Sequence, residues 1–417
     1  MRVELEDRDR SLLDGEAGEG AALAMRLVVK MAGVARAPRL RDVTRAHIDS
    51  CLYHGQAGLD FAERLLAGGA KVAVPATLNV SSLDLLHPEL VRLDEETRER
   101  AKRLIDAYVA IGCRPTWTCA PYQLPDRPAF GEHVAWAESN AIVFANSVLG
   151  ARTNRYGDFI DICAAVTGRV PDHGLHTDEG RRATLLLRLG DLPDRLLDHD
   201  LLAPVLGHLL GPRAGNEVAA IEGLPADTTE DRLKAIGAAA ASSGAVALFH
   251  AIGVTPEAPT WEAVAAAGAR EERVTLADLR AARDALSPVP DGAEIGAVSV
   301  GTPHASEAEL RRLADLVRQE RPRVPFYVNT GRAMLSAVGS VADDLADAGV
   351  TIVTDTCTYI TPILHDVAGP VMTDSGKWAW YAPSNLGYEV ALGSVQECAR
   401  SAAAGVVVRD PDVWGDR

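Results

Sequence analysis

Apolar positions along the second half of the chain alternate between two periods. From Ile295 onward, short apolar runs of strand length are each followed by a polar turn and then by apolar residues at helical spacing. The pattern predicts strands at Ala297–Val300, Pro325–Val328, Thr351–Thr354, Val371–Thr373 and Tyr388–Leu392. It predicts helices at Glu307–Arg318, Ala333–Ala348 and Val395–Ala404. Strand–helix alternation of this kind builds a mostly parallel sheet covered by helices.

The first half is less regular. Helices are expected at residues 6–13 and 17–35, and again at Leu59–Leu66, Asp94–Ile111, Ala135–Leu149 and Asp158–Val166. Strands are expected at Ala46–Ile48, Lys71–Val74 and Pro115–Thr118. In the middle, Thr184–Leu189, Glu217–Ile221 and Ala245–His250 read as strands, and Thr229–Ser242 as an Ala-rich helix. Glu271–Asp291 reads as a charged, partly helical connector. Three α/β lobes follow, over residues 1–170, 171–290 and 291–417.

Composition narrows the function. Of 417 residues, 47% are hydrophobic, enough for large cores, and the formal charge is −16. With 58 acids against 42 basic residues and no basic stripe interleaved with aromatics, the chain has no electrostatic reason to track phosphate backbones or anionic lipid. Nucleic-acid and membrane partners are therefore not expected. No apolar leader or membrane-length run is seen, so a cytoplasmic location is expected. The six scattered cysteines fit free or ligating thiols better than a disulfide framework.

Candidate chemistry gathers just past strand ends, where parallel sheets bind ligands. The stretch Thr351–Lys377 holds two such clusters, Asp355-Thr356-Cys357-Thr358 and Asp374-Ser375-Gly376-Lys377. Cys119 and Cys357 each sit among hydroxyl-bearing neighbours that can hydrogen-bond to ligating sulfur, or else serve as small buried hydrophobes. No C-x-x-C spacing is present, so a metal site would be assembled from distant segments. Arg152, Asn154 and Arg155 lie in a polar run able to hold a carboxylate or phosphate, or to face solvent. Lys377 could neutralise an anionic substrate. Asn79, Ser81 and Ser82 could orient a ligand or cap a helix. His54, His304 and His365 are open to acid–base or structural roles. Phosphate-loop, dinucleotide and nucleophile-elbow fingerprints are missing, which argues against nucleotide-binding and serine-hydrolase functions.

Taken in order, HIDSCLYHGQAGLDFAERLLAGGAKVAVPATLNVSSLD, PTWTCAPYQ, GEHVAWAESNAIVFANSVLGARTNRYGD, VGTPHAS, FYVNTGR and TDSGKWAWYAP resemble the large or catalytic domain of the aconitase X family, over about residues 47–383. The resemblance implies an aconitase-like, multi-lobe α/β scaffold of mostly parallel sheets flanked by helices. It implies a hydro-lyase acting on a small β-hydroxy acid, either cis-3-hydroxy-L-proline, favoured by the CLYHGQAGLDFAE loop, or mevalonate 5-phosphate. A non-catalytic scaffolding or regulatory paralogue is the alternative. An iron–sulfur cluster is implied, of [2Fe–2S], [3Fe–4S] or [4Fe–4S] type, with Cys119 and Cys357 at the family's cysteine positions. Many members carry a third cysteine where this chain has Thr302, a poor iron ligand; Cys51 is the nearest replacement. The implied substrate contacts are His54, Asn79, Ser81, Arg152, Asn154, Arg155 and Lys377. The family also needs a small swivelling domain, for which no segment is left here. A separate small subunit carrying the serine base is expected, and no catalytic base is assigned within this chain.

Overall fold

The computed structural model describes residues 3–190, 192–365 and 367–415. The chain divides into two compact units. One comprises Met1–Leu83 and Leu93–Arg182; the other comprises Asp84–Arg92 and Ala183–Arg417.

The first unit is organised on a three-stranded parallel sheet. Its central strand, Ala46–Ile48, pairs with Ala76–Leu78 on one side and Ala135–Trp136 on the other. A two-stranded antiparallel ribbon, Leu40–Asp42 with Arg169–Pro171, accompanies it. Helix Glu95–Ile111 starts on an Asp94 cap, whose carboxylate accepts from Thr97 N, and stops at Gly112. Arg169 is 2% exposed and pairs with the buried Asp9 at 2.9 Å and with Asp42 at 2.7 Å. A lone buried guanidinium would be costly, so these carboxylates are obligatory partners.

The second unit carries two sheets, both wholly parallel. The larger runs Val350–Val353, Phe326–Thr330, Ala297–Ala305, Val371–Thr373, Val390–Leu392. Strand order reverses beside Ala297–Ala305, so the crevice where ligands bind such sheets lies past its carboxyl end. Helix Glu307–Gln319 covers this sheet with Leu310, Leu313, Ala314 and Val317, one buried stripe at helical spacing. It begins with a capping box between Ser306 and Glu309. The smaller sheet runs Phe249–Ala251, Ala219–Glu222, Ala183–Leu189, Ala265–Val274. Its last strand is an edge with Arg270, Glu271 and Glu272 outside, charges that discourage further strand pairing.

Several elements depart from the sequence expectation. The strand expected at Lys71–Val74 falls after Pro75, at Ala76–Leu78. Pro115–Thr118 lies outside any sheet, and Trp117 within it has φ +47°. The helix expected over Ala135–Leu149 is a two-residue strand followed by helix Ser139–Ser147. The helix expected over Ala333–Ala348 breaks at Gly339 into Arg332–Val338 and Val341–Asp347. The charged connector is in part the edge strand Ala265–Val274, followed by helix Leu276–Leu286. Helix Leu202–Ala214 was not expected. It is buried almost all round, so it shows no amphipathic period, and it packs on helix Glu230–Ser243. A Cβ at Gly207 would collide with the Ile236 carbonyl, which is why a glycine stands there.

Asp84 ties its short segment to the second unit. Its carboxylate is fully buried and accepts from Leu86 N, His87 N, Thr354 N and Thr354 Oγ1 at 2.8–3.1 Å. Asp84→Ala is expected to lower stability by about 3 kcal/mol, because two buried and two half-buried donor bonds lose a charged acceptor. Urea denaturation measures this, and a loss under 1 kcal/mol would reject the anchor.

Candidate functional site

In the second unit, strand Ala297–Ala305 shifts register between Val300 and Ala305. Gly301 makes the turn with φ +77°, and a Cβ there would strike the Asn329 carbonyl. The shift turns His304 inward, fully buried. Its Nε2 lies 3.1 Å from the Thr356 carbonyl oxygen. A carbonyl only accepts, so Nε2 carries the proton and the lone pair is on Nδ1. A His304 ring nitrogen and Cys357 Sγ lie within 4.8 Å of each other. Burial pushes the imidazole down to about 4; the bond to Thr356 opposes this, and the charges of Lys377 and Lys234 add to it.

The turn that carries Cys357 is held by side-chain hydrogen bonds. Thr358 N donates to Asn329 Oδ1 at 3.0 Å. The Thr358 hydroxyl accepts from Trp378 Nε1 at 3.0 Å and from Asn329 Nδ2 at 3.2 Å. With both acceptor positions used, its proton goes to Ser299 Oγ, 2.7 Å away. Asp355 is held at φ +61° by a bidentate pair with Arg332 at 2.6 and 2.7 Å, and accepts from Leu85 N.

Lys377 lies in the first turn of helix Gly376–Leu386, which the sequence pattern did not reveal. Ser375 caps that helix by accepting from Trp378 N. Lys377 is 2% exposed, and its ammonium sits 5.4 Å from the centre of the Tyr359 ring. A small cavity of about 40 Å³ is lined by Lys377, Lys234, Thr302, Glu309, Asp374 and Ser375. Burial works against the charge of Lys234, but Glu309 and Asp231 raise its pKa above the usual ammonium value. Burial, reinforced by Glu309, pushes Asp374 up to about 7.

In the first unit, the three parallel strands each deliver a polar residue at their carboxyl ends: Asp49, Asn79 and Glu138. Asn79 Nδ2 donates to Asp49 Oδ1. Burial, with the charges of Glu138 and Asp158, pushes Asp49 up to about 8. Glu138 has φ +72° and caps helix Ser139–Ser147 by accepting from Ala141 N. Asn140 links Glu138 to the carbonyl of Cys119, which is 2% exposed. Asp161 is fully buried and clamps the Asp49-Ser50 turn, accepting from both backbone amides and from Ser50 Oγ at 2.7–2.9 Å.

The sequence-selected residues therefore part company. Cys357, Thr302 and Lys377 share the strand ends of the second unit. Thr302 is engaged there, its hydroxyl 3.4 Å from Asn329 Nδ2 and its carbonyl accepting from Ser375 Oγ. Asn79 lies at the strand ends of the first unit. Ser81, Arg152 and Asn154 spend their polar atoms on the chain itself: Ser81 on Leu83, Arg152 on Asp178 and the His176 carbonyl, and Asn154 on His173 and Leu175. These bonds build the loops in which the three residues sit. His54 and Arg155 are exposed. Cys51 Sγ faces the carbonyls of Ile48, Asn79 and Val80 at 3.4–3.6 Å. Such acceptors suit a protonated thiol, and burial pushes its pKa up. The sequence reading left His304 between acid–base and structural roles; its spacing to Cys357 is a tertiary fact with no local signal.

Three family models match the chain: the aconitase X first domain over residues 2–179, the second domain over 183–284 and the third domain over 295–404. The cis-3-hydroxy-L-proline dehydratase of Pseudomonas aeruginosa is 44% identical over 95% of this chain and 69% of its own length. The phosphomevalonate dehydratase large subunit of Methanothermobacter thermautotrophicus is 38% identical over 93% of this chain and 96% of its own. Both are named as dehydratases, which are hydro-lyases. The crystal structure of Thermococcus kodakaraensis aconitase X in its holo-form matches with a TM-score of 0.86 at 31% identity, covering 96% of this chain and all of that one. No described helix is long and apolar enough to cross a membrane.

Buried His47, on the central strand of the first unit, is pushed down to about 3 by burial. Its folded pKa lies below the unfolded value of about 6.5, so stability present above pH 6.5 is lost as pH falls towards 3. His47→Gln should make unfolding free energy shallower against pH by one proton between pH 6 and 4, about 1.4 kcal/mol per pH unit. Parallel slopes for the two proteins in urea titrations would refute this.

Proposed function

The chain belongs to the aconitase X family, and from that premise we propose that it is the large catalytic subunit of a hydro-lyase. Its substrate in this reading is a small β-hydroxy acid, cis-3-hydroxy-L-proline or a close analogue. The observation that carries the reading is the buried Cys357–His304 pair beside buried Lys377, at the reversal point of a parallel sheet. Support for the substrate comes from identity: 44% and 39% to dehydratases named for cis-3-hydroxy-L-proline, against 38% to an archaeal phosphomevalonate enzyme. Mevalonate 5-phosphate is the second reading. The archaeal relatives are named as large subunits, which supports a separate small subunit as partner.

The donor set suits the family's iron–sulfur cluster. Cys357 is a buried sulfur beside an imidazole whose tautomer is fixed by a backbone carbonyl, the outer-shell arrangement ligating histidines use. Cys119 and Cys357 are the proposed thiolate ligands. When bound, the cluster supplies a Lewis acid for the departing hydroxyl. The protein's own part is to bind and to orient. Lys377, drawn out of water, attracts the substrate carboxylate and stabilises negative charge growing on it as the α-proton leaves. Asn79 and the exposed His54 and Arg155 are the proposed polar contacts of the first unit. The base that takes the α-proton belongs to the small subunit.

Co-expression with a small aconitase X subunit and anaerobic reconstitution with iron and sulfide is expected to yield an iron-containing protein that dehydrates cis-3-hydroxy-L-proline. Cys357→Ser should lose the iron. Lys377→Ala should keep the iron and raise KM about 10- to 100-fold, the equivalent of one charge-assisted hydrogen bond. Iron-free, inactive wild-type protein would sink the lyase reading. An iron-loaded protein inactive on both substrates would favour a non-catalytic role.

A further inference from the structure

We propose that the second unit holds a binding site for a small organic ammonium, in a cavity whose charged anchor is Asp374. The cavity adjoins the smaller one at Lys377, with which it shares Gly301, Glu309 and Asp374, but the proposal does not depend on the lyase reading.

The cavity holds about 270 Å³. Its walls are drawn from residues 200–235 of the second domain and from residues 300–395 of the third. Val300 and Val328 reach it from strands Ala297–Ala305 and Phe326–Thr330, at the point where the strand order of the larger sheet reverses. Small ligands favour domain junctions and the switch points of parallel sheets, and this cavity meets both conditions. Its volume falls just below the roughly 300 Å³ at which pockets for drug-sized molecules begin, which suits a ligand of one small ring.

The charges of the wall select the sign of the ligand. Asp200, Asp231, Glu309 and Asp374 line it, against Arg232 and Arg312. Both guanidinium groups are committed to the protein: Arg312 pairs with Asp200, and Arg232 donates to the carbonyls of Leu197 and His199. Asp231 and Glu309 share the buried ammonium of Lys234. They also accept from Ser306, Asp231 from its hydroxyl and Glu309 from its backbone N–H, each at 2.8 Å. Asp374 alone of the four has no ion pair among the described residues. Its own amide, the Gly301 amide and the charge of Lys234 favour its carboxylate, yet burial and Glu309 outweigh them and hold the group up at about 7. A carboxyl in that condition is stabilised by an arriving cation.

The rest of the wall decides what kind of cation. Leu201, Pro204, Ala305 and Leu313 offer hydrocarbon instead of further oxygen ligands, so a metal ion would lack a coordination shell. An ammonium needs one carboxylate at hydrogen-bond distance and buries its carbon skeleton against the same apolar wall. An anion of the same shape would meet four carboxylates.

Cyclopentylammonium, cyclopentanol and cyclopentanecarboxylate share one ring and differ in charge. Titrated into the full 417-residue chain and followed by saturation-transfer NMR, the ammonium is expected to bind saturably, the alcohol about tenfold more weakly and the carboxylate not at all. Asp374→Asn should weaken the ammonium about 10- to 100-fold, the loss of one charge-assisted hydrogen bond. Ala308 is exposed at the rim of the cavity, so Ala308→Trp should obstruct it while leaving Asp374 and the urea midpoint unchanged. Wild-type protein that shows no saturable ammonium binding overturns the proposal. So does binding that survives both substitutions, which would place the probe elsewhere on an acidic surface. Displacement of the bound probe by cis-3-hydroxy-L-proline would support the site with an amino acid's own ammonium as its occupant, and a probe that stays in place would support it with a separate amine. Each of these readouts is independent of iron and of turnover, so failure here leaves the lyase reading to its own test.

Discussion

The side chain of Asn329 is the contact on which the second unit's site depends. Its oxygen accepts from Thr358 N and its nitrogen donates to the Val300 carbonyl and the Thr358 hydroxyl. One planar amide, fully buried on a sheet strand, therefore joins the bulge that delivers His304 to the turn that delivers Cys357. A primary amide meets both needs because it presents donors and acceptors in one plane. Aspartate would lack the donors, and leucine would leave buried backbone groups unpaired. The hub also includes Trp378 and Ser299, both bonded to Thr358. Networks of this kind are stable only when every member is satisfied, and here the hydroxyl bonding of Thr358 closes the count.

Around this hub the protein accepts an unusual load of buried charge. Asp84, Asp355, Lys234 and Lys377 are all nearly inaccessible to water. Each buried carboxylate has dedicated donors: Asp84 takes backbone amides of its own segment and of Thr354, and Asp355 takes the Arg332 guanidinium. Lys234 lies between Asp231 and Glu309. Such pairs contribute little net stability, since desolvation cancels much of their attraction. What they do is fix positions. The Asp84 and Asp355 contacts hold the residues just before Cys357, and the Lys234 contacts hold the helix N-terminus that follows His304.

How far this was legible in the sequence depended on locality. The regular strand–helix alternation after Ile295 is a local signal, and five strands of the larger sheet stand close to their expected places. Cys357 and Lys377 stood out for the same reason, being reactive groups one step past a strand. Helix Leu202–Ala214 was invisible because burial on every side erases the 3.6-residue period. Helix Gly376–Leu386 was hidden by its polar first turn and by Pro383 within it. A polar loop such as that of Arg152 and Asn154 looks alike in sequence whether it faces a ligand or its own backbone, and its contacts to Asp178, His173 and Leu175 carry no local signal. The value of His304 was out of reach altogether, since it depends on a bulge and on a turn 52 residues away.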